Sequence, residues 1–134
     1  IYTLSLHDAL PIYELDILFG RLSLNEGMLV ENAVAQQLRA NGRRLFFYSR
    51  YARGDSQRTM EIDFLIVRAH DDATLRARVS PVEVKSTKRY GTSSLDKFER
   101  AFGDRLGRSY VLHPRQVASS GQRTLLPLYF AFCL

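Results

Sequence analysis

Two hydropathy patterns alternate along this chain. Val30, Ala33, Val34, Gln37 and Leu38 recur at i, i+3, i+4, i+7 and i+8, the spacing of one helix face with one slot polar. Asn25 suits the N-cap, and Glu26 falls in the first turn, where an acid meets the positive end of the helix dipole. Asn41-Gly42 predicts the end of this helix, because glycine readily takes the left-handed conformation needed just past a helix. Tyr13 to Leu24, before it, is short and mixed and reads as the tail of an upstream element. Leu45 to Tyr48 is a short aromatic strand candidate, followed by a polar loop from Tyr51 to Thr59.

Glu61 to Val67, EIDFLIV, is rich in β-formers and predicts a central strand. Ala69 to Thr74 reads as a turn. Val79 to Lys85 is the next strand, with Pro81 near its start, where a missing N–H is tolerable. Ser93 opens a second helix, with Asp96 three residues on in a capping-box pattern and Leu95, Phe98 and Phe102 as its apolar face. Ser109 to His113 and Leu125 to Phe132 predict two closing strands. Gly103-Asp104 and Ser119-Ser120-Gly121 punctuate the stretches between. The order α-β-β-β-α-β-β predicts an α/β or α+β domain with one mixed sheet.

Composition narrows the class without naming a function. With 134 residues, 46% hydrophobic and 25% charged, the chain is one ordinary globular domain, which excludes collagen-like, disordered and disulfide-scaffold classes. No apolar run approaches the ~18 residues of a membrane span, so no membrane partner is expected. A single cysteine, Cys133, cannot form an internal disulfide, which fits a cytoplasmic location. Arginine outnumbers lysine 16 to 3 within a net charge of +5, a bias that points to a GC-rich coding sequence more than to a function.

Residues 1–12, IYTLSLHDALPI, lack the basic start and small-residue cleavage site of a signal peptide. They resemble the conceptual translation of a common sequencing-library adapter, which removes His7 and Asp8 from the candidate ligands. With no starting Met, residues 13–24 read as the remnant of an upstream segment and 25–134 as a C-terminal domain of a longer protein.

The sharpest chemical feature is PVEVKS, Pro81 to Ser86. On a strand, Glu83 and Lys85 leave one face while Val82 and Val84 leave the other. The preceding strand carries Asp63 between Ile62 and Phe64, where a lone desolvated carboxylate costs several kcal/mol and needs a cation or a partner. If the two strands pair, Asp63, Glu83 and Lys85 converge. Such a set suits phosphodiester hydrolysis with Mg²⁺, or Mn²⁺ in its place. Asp63 and Glu83 are hard oxygen ligands, the Val84 carbonyl is a third, and Lys85 orients the attacking water or stabilises the transition state. Glu31 borders the apolar face of the first helix, from where it could complete the site. Taken alone, V-E-V-K also fits a solvated cross-strand ion pair worth ~0–1 kcal/mol.

Glu31 on a helix, then Asp63, then Glu83-Val84-Lys85 resembles the restriction-endonuclease-like superfamily, the PD-(D/E)XK fold. More narrowly, GMLVENAVAQQL, MEIDFLIV, VEVKS and the closing LLPLY resemble the C-terminal domain called domain of unknown function 4143, over Gly27 to Leu134. The resemblance implies a restriction-endonuclease-like mixed β-sheet flanked by helices. It also implies an upstream P-loop ATPase of the AAA type, as in bacterial and archaeal proteins of that family. The superfamily's Pro-Asp is here Ile62-Asp63. No G-x-x-x-x-G-K-[ST] is present, and GDRLGRS, Gly103 to Ser109, lacks both its lysine and its spacing, so this piece is expected to have no nucleotide site. The superfamily also contains domains that keep the fold without cutting, and a fold does not establish a function.

Arg39, Arg43, Arg44, Arg50, Arg53 and Arg58 cluster with only Asp55 to oppose them. Arg43, Arg44, Arg50 and Arg53 are the candidate nucleic-acid contacts, with Tyr48 and Tyr51 as stacking surfaces. An arginine-rich composition scattered over exposed faces would look the same. His70 and His113 have no partner at metal spacing, and Phe46, Phe47, Phe98 and Phe102 are expected in the core. Two functions remain open: a metal-dependent nuclease-type domain, or a non-catalytic module that binds nucleic acid or protein and governs the ATPase.

Overall fold

The computed structural model describes residues 26–56, 58–68 and 78–134. Readings made for residues 1–25 and for the Ala69–Thr74 turn, His70 and Asn25 included, lie outside them. Helix α1 runs Glu26–Ala40. Strands β1 (Phe46–Arg50), β2 (Met60–Arg68) and β3 (Arg78–Val84) follow, then helix α2 (Ser93–Phe102). A 3-10 turn (Gly103–Arg105), strands β4 (Ser109–His113), β5 (Ala118–Ser120) and β6 (Arg123–Pro127) and a 3-10 segment (Leu128–Cys133) complete the chain. Helix α1 ends as its sequence predicts: Gly42 takes φ 76°, and Arg43 N–H and Gly42 N–H donate back to the carbonyls of Leu38 and Arg39.

The six strands form one mixed sheet in the order β1-β2-β3-β4-β6-β5. The β1–β2, β2–β3 and β5–β6 pairs are antiparallel, and β4 lies parallel to both β3 and β6. The fold is therefore mixed α/β, with helices flanking a mixed sheet. Each face carries its own core. On the α1 side, Val34 and Leu38 pack with Ile66, Val82, Val84, Tyr110 and Leu112, and Ala131 and Leu134 close the cluster. On the α2 side, Leu95 and Phe98 pack with Met60, Ile62, Leu106 and Val111. No helix among the described residues is long and apolar enough to cross a membrane.

Several expectations need correction. Ala33 is exposed, and Ala35 joins Val34 and Leu38 as the buried residues of α1. Phe47 is exposed rather than in the core, because it points outward from edge strand β1. Ser119-Ser120 belongs to a strand and not a turn: β5 and β6 form a hairpin whose two-residue loop is Gly121-Gln122, with Gly121 at φ 58°. The final strand ends at Pro127. Beyond it, Leu128, Ala131 and Leu134 pack inward at every third position while Tyr129 and Phe132 stay exposed, the periodicity of a 3-10 helix.

The capping box also fails. The N-cap of α2 is Thr92, which makes no side-chain cap hydrogen bond. Asp96 instead pairs with Arg123 on β6 at 2.6 Å, and Glu99 pairs with the same guanidinium. Burial alone would raise the Glu99 carboxyl. Hydrogen bonds from Arg123 and Ser109, with the charge of Arg123, outweigh burial and hold it below the usual range. The stability from this clamp is therefore present above the ordinary Glu range and lost as pH falls through the lowered value.

Candidate functional site

The site is organised by an irregularity in β2. Its register with β1 runs Phe46↔Leu65 and then Tyr48↔Ile62, so Asp63 and Phe64 together oppose the single residue Phe47. This is a β-bulge, which inserts one residue and re-aims the side chains around it. Its effect is visible in the packing. Met60 and Ile62 enter the α2-side core, whereas Ile66 enters the α1-side core with Phe64 packed against it, although all four share parity in the sequence. Asp63 sits at the switch.

The β2–β3 ladder stops at Phe64↔Val82, so Val84, two residues on, has no backbone partner on β2. Asp63 takes that place: its Oδ2 accepts the Val84 N–H at 2.6 Å. Lys85 N–H donates to the Leu112 carbonyl at 2.8 Å, which fixes the end of β3 against β4. Val82 and Val84 face the α1-side core, and alternation sends Glu83 and Lys85 to the other side. Lys85 Nζ donates to Glu83 Oε1 at 2.7 Å. Glu83 is 4% exposed, so this is a largely buried pair rather than a solvated cross-strand one. The other oxygen, Glu83 Oε2, is buried with no hydrogen-bond partner.

Burial first, and then the charge of neighbouring acids, favours the protonated form of three acids of the site. Burial raises the pKa of Asp63, with Glu61 adding to it, while the Val84 N–H and Lys85 oppose. Burial also raises Glu83; Lys85 pulls it down through its hydrogen bond and charge, and the charges of Asp63 and Glu31 push it up. Glu31 is raised by burial and then by Asp63 and Glu61, with Lys85 opposing. Glu31 thus stands where its charge is felt, although it makes no hydrogen bond to the other site residues. The reading of the sequence missed Glu61, whose i, i+2 spacing to Asp63 on a strand was a usable signal.

These raised acids bind protons more tightly in the folded chain than in the unfolded one. Their contribution to stability is present below the ordinary carboxylate range and is lost as pH rises through the raised values. Asp63→Asn removes one acid yet keeps an oxygen to accept the Val84 N–H. It is expected to raise the melting temperature near pH 7 and leave it unchanged near pH 3, where both forms are neutral. Thermal melts at the two pH values check this; a lower melting temperature near pH 7 would contradict it.

The remaining candidates do not join this set. Arg58 pairs with Asp55 at 3.3 Å, and Arg44 lies over the Phe46 ring at 5.7 Å. Tyr48 is half-buried in T-shaped contact with Phe98 and Phe102, whereas Tyr51 is exposed. Arg50 and Arg53 are exposed. Among the described residues, no group of three or more His, Cys, Asp or Glu side chains is arranged to hold a metal ion. His113 is buried and fully engaged. Its Nε2 faces the Gln116 carbonyl, which can only accept, so Nε2 carries the proton and Nδ1 accepts from the Tyr90 hydroxyl at 2.8 Å.

Comparison with known proteins adds one result. No curated protein and no solved structure matches the chain. Residues 26–130, however, match the model of the family described as domain of unknown function (DUF4143), a span that begins with α1 and takes in every strand and helix that builds the site. The chain therefore belongs to the DUF4143 family.

Proposed function

We propose that this domain is a metal-dependent nuclease-type module of restriction-endonuclease-like architecture, the C-terminal part of an AAA-type ATPase. The observation that carries the reading is the buried, unpartnered Oε2 of Glu83 within a cluster of acids. Asp63 adds to the raising of Glu31 and Glu83, Glu31 to that of Glu83, and Glu61 to that of Glu31 and Asp63, and among the described residues Lys85 is the only cation acting on the three raised acids. A divalent cation would relieve the excess of negative charge and give Glu83 Oε2 its missing partner.

The donors are carboxylate oxygens, the hard ligands that Mg²⁺ takes, so in chemical type they suit such an ion, with a backbone carbonyl in place of a third acidic side chain. Asp63, Glu83 and the Val84 carbonyl would hold it, with Glu31 in support. A Mg²⁺ ion held there would acidify a bound water and offset charge developing on a phosphate. The chain does the rest. Lys85 fixes Glu83 through Oε1, which leaves Oε2 for the ion, and its Nζ stands ready to orient an attacking water. The Val84 N–H fixes Asp63 in the same way.

One observation favours a second reading. Lys85 is already paired with Glu83, and such a buried pair is also what a non-catalytic module that binds nucleic acid or protein would retain.

Titrating Mn²⁺, as a surrogate for Mg²⁺, into the chain and into Asp63→Asn by calorimetry separates the two without a guess about substrate. We expect one binding event in the parent chain and its loss in the variant. The absence of binding by a chain that circular dichroism shows to be folded would overturn the metal reading and leave the interaction module. Cleavage, where found, is expected to vanish in Asp63→Asn.

A further inference from the structure

The carboxyl edge of the parallel strands holds a second feature, which the metal reading does not use. A cavity of about 660 Å³ opens there. Its wall is built from His113 and Pro127, the last residues of β4 and β6, from Lys88 on the loop leaving β3, and from Arg115, Leu128 and Tyr129. In open α/β sheets, ligands bind in crevices outside the carboxyl ends of the strands. Its volume lies in the range of small-ligand sites. Lys85 leaves β3 on this same edge, bonded to the carbonyl of Leu112, the residue before His113.

The lining is one-sided in charge. Lys88 and Arg115 are both exposed, neither has an ion-pair partner among the described residues, and no Asp or Glu lines the cavity. His113 adds no charge. Both its ring nitrogens are engaged, by Tyr90 and by the Gln116 carbonyl, and burial, with the Arg115 charge beside it, holds its pKa below the usual value. His113 is thus a neutral wall, and the positive field comes from the two flexible cations at the rim.

Tyr129 supplies the third element. Its backbone belongs to the C-terminal 3-10 segment, which the packing of Leu128 and Ala131 anchors to the α1-side core. The ring itself is 65% exposed, with its centroid 5.1 Å from that of Phe130. The fold therefore holds an aromatic ring in solvent beside two unpaired cations. Basic side chains that follow a phosphate backbone and an aromatic on which a base stacks are the two parts of a single-strand binding surface.

We infer that this cavity seats one nucleotide of a single-stranded polynucleotide, its base stacked on Tyr129 and its flanking phosphates on Lys88 and Arg115. A duplex keeps its bases stacked inside and cannot offer one to Tyr129. The inference rests on the nucleic-acid reading above, but neither on metal binding nor on cleavage. It also moves the nucleic-acid surface away from Arg43, Arg44, Arg50 and Arg53. Those residues lie on or near β1, at one edge of the sheet, whereas the cavity lies at the ends of β4 and β6, in its other half.

The test is fluorescence anisotropy of a labelled oligothymidylate with the full chain in EDTA. The parent chain is expected to bind, with unlabelled duplex a poor competitor. Lys88→Glu/Arg115→Glu should weaken binding at least about tenfold and flatten its salt dependence by roughly 1.4 in the log–log slope, the share of two phosphate contacts on a single strand. Tyr129→Ala should cost about tenfold and Tyr129→Phe little, since either ring presents a stacking face. Arg50→Glu/Arg53→Glu should bind like the parent. All these side chains are exposed, and circular dichroism of each variant checks that it folds.

Equal binding by the cavity variants and the parent, or a loss confined to Arg50→Glu/Arg53→Glu, would overturn the inference. A parent chain that takes up Mn²⁺ but binds no oligonucleotide would overturn it and leave the metal site standing. Cavity-dependent binding by a chain that takes up no Mn²⁺ would support it and remove the metal site instead.

Discussion

Lys85→Ala is expected to lower the stability of the fold by about 3–5 kcal/mol near neutral pH, the usual cost of removing one partner from a buried ion pair. Glu83 is 4% exposed and its Oε2 already lacks a partner, so the truncation leaves a carboxylate with neither a cation nor a hydrogen bond from a side chain. The protein has one escape, which is to protonate Glu83. Losing Lys85 removes the forces that oppose burial and raises this pKa further.

A raised carboxyl contributes stability at low pH that is lost as pH rises through its folded value. The variant should therefore recover part of the deficit in acid. Urea unfolding of the parent and variant near pH 7 and near pH 5 measures both effects. Glu83→Gln/Lys85→Ala, which removes the charge as well as its partner, should regain most of the loss. A deficit under about 1 kcal/mol near pH 7 would return the pair to the class of solvated surface bridges and remove the electrostatic argument for a site at this position.

Leu38→Ala is expected to cost about 2–5 kcal/mol, because Leu38 is fully buried in the α1-side core and truncation leaves a cavity that rigid neighbours fill only in part. Val82, Leu112 and Ala131 belong to the same cluster, so the loss reaches helix, sheet and C-terminal segment together. Ala33→Glu, on the same helix, should change stability by no more than about 0.5 kcal/mol, since Ala33 is exposed. Urea midpoints of the two variants check the orientation of α1. Comparable losses at both positions would mean that the helix is rotated about its axis relative to the structure.

That pair of residues shows where the sequence was legible. The spacing of Val34 and Leu38 is enough to predict α1, but Ala33 and Ala35 are both small enough to sit on either side. Only the helix's placement over the sheet decides between them. V-E-V-K was readable because strand alternation is strict, and Glu83 and Lys85 do share a side.

The bulge at Asp63 was not read, although a trace of it is there. Met60 and Ile62 alternate with acids, and then Phe64 to Val67 run apolar without a break. That change of period is what an inserted residue leaves behind. Asp96 was read as a cap because its partner, Arg123, lies 27 residues on, beyond any local window. The cavity had no local signature either, since Lys88, Arg115 and Tyr129 come from three separate connections that only the parallel order β3-β4-β6 brings to one edge.

The C-terminal 3-10 segment has a consequence for synthesis. Ala131 and Leu134 complete the core that α1 begins, and the Asn41 side chain at the end of α1 donates to the Phe132 carbonyl across 91 positions of sequence. On the ribosome, Val34 and Leu38 therefore emerge long before the residues that cover them, and this face of the nascent domain stays open until translation of the segment is finished. Such separation between partners slows folding and prolongs the exposure of apolar surface. A chain stopped at Pro127 keeps every described strand but lacks the cover, and it should bind a hydrophobic dye such as ANS where the full chain does not. The segment after Pro127 would then act as the latch that decides when this domain has finished folding.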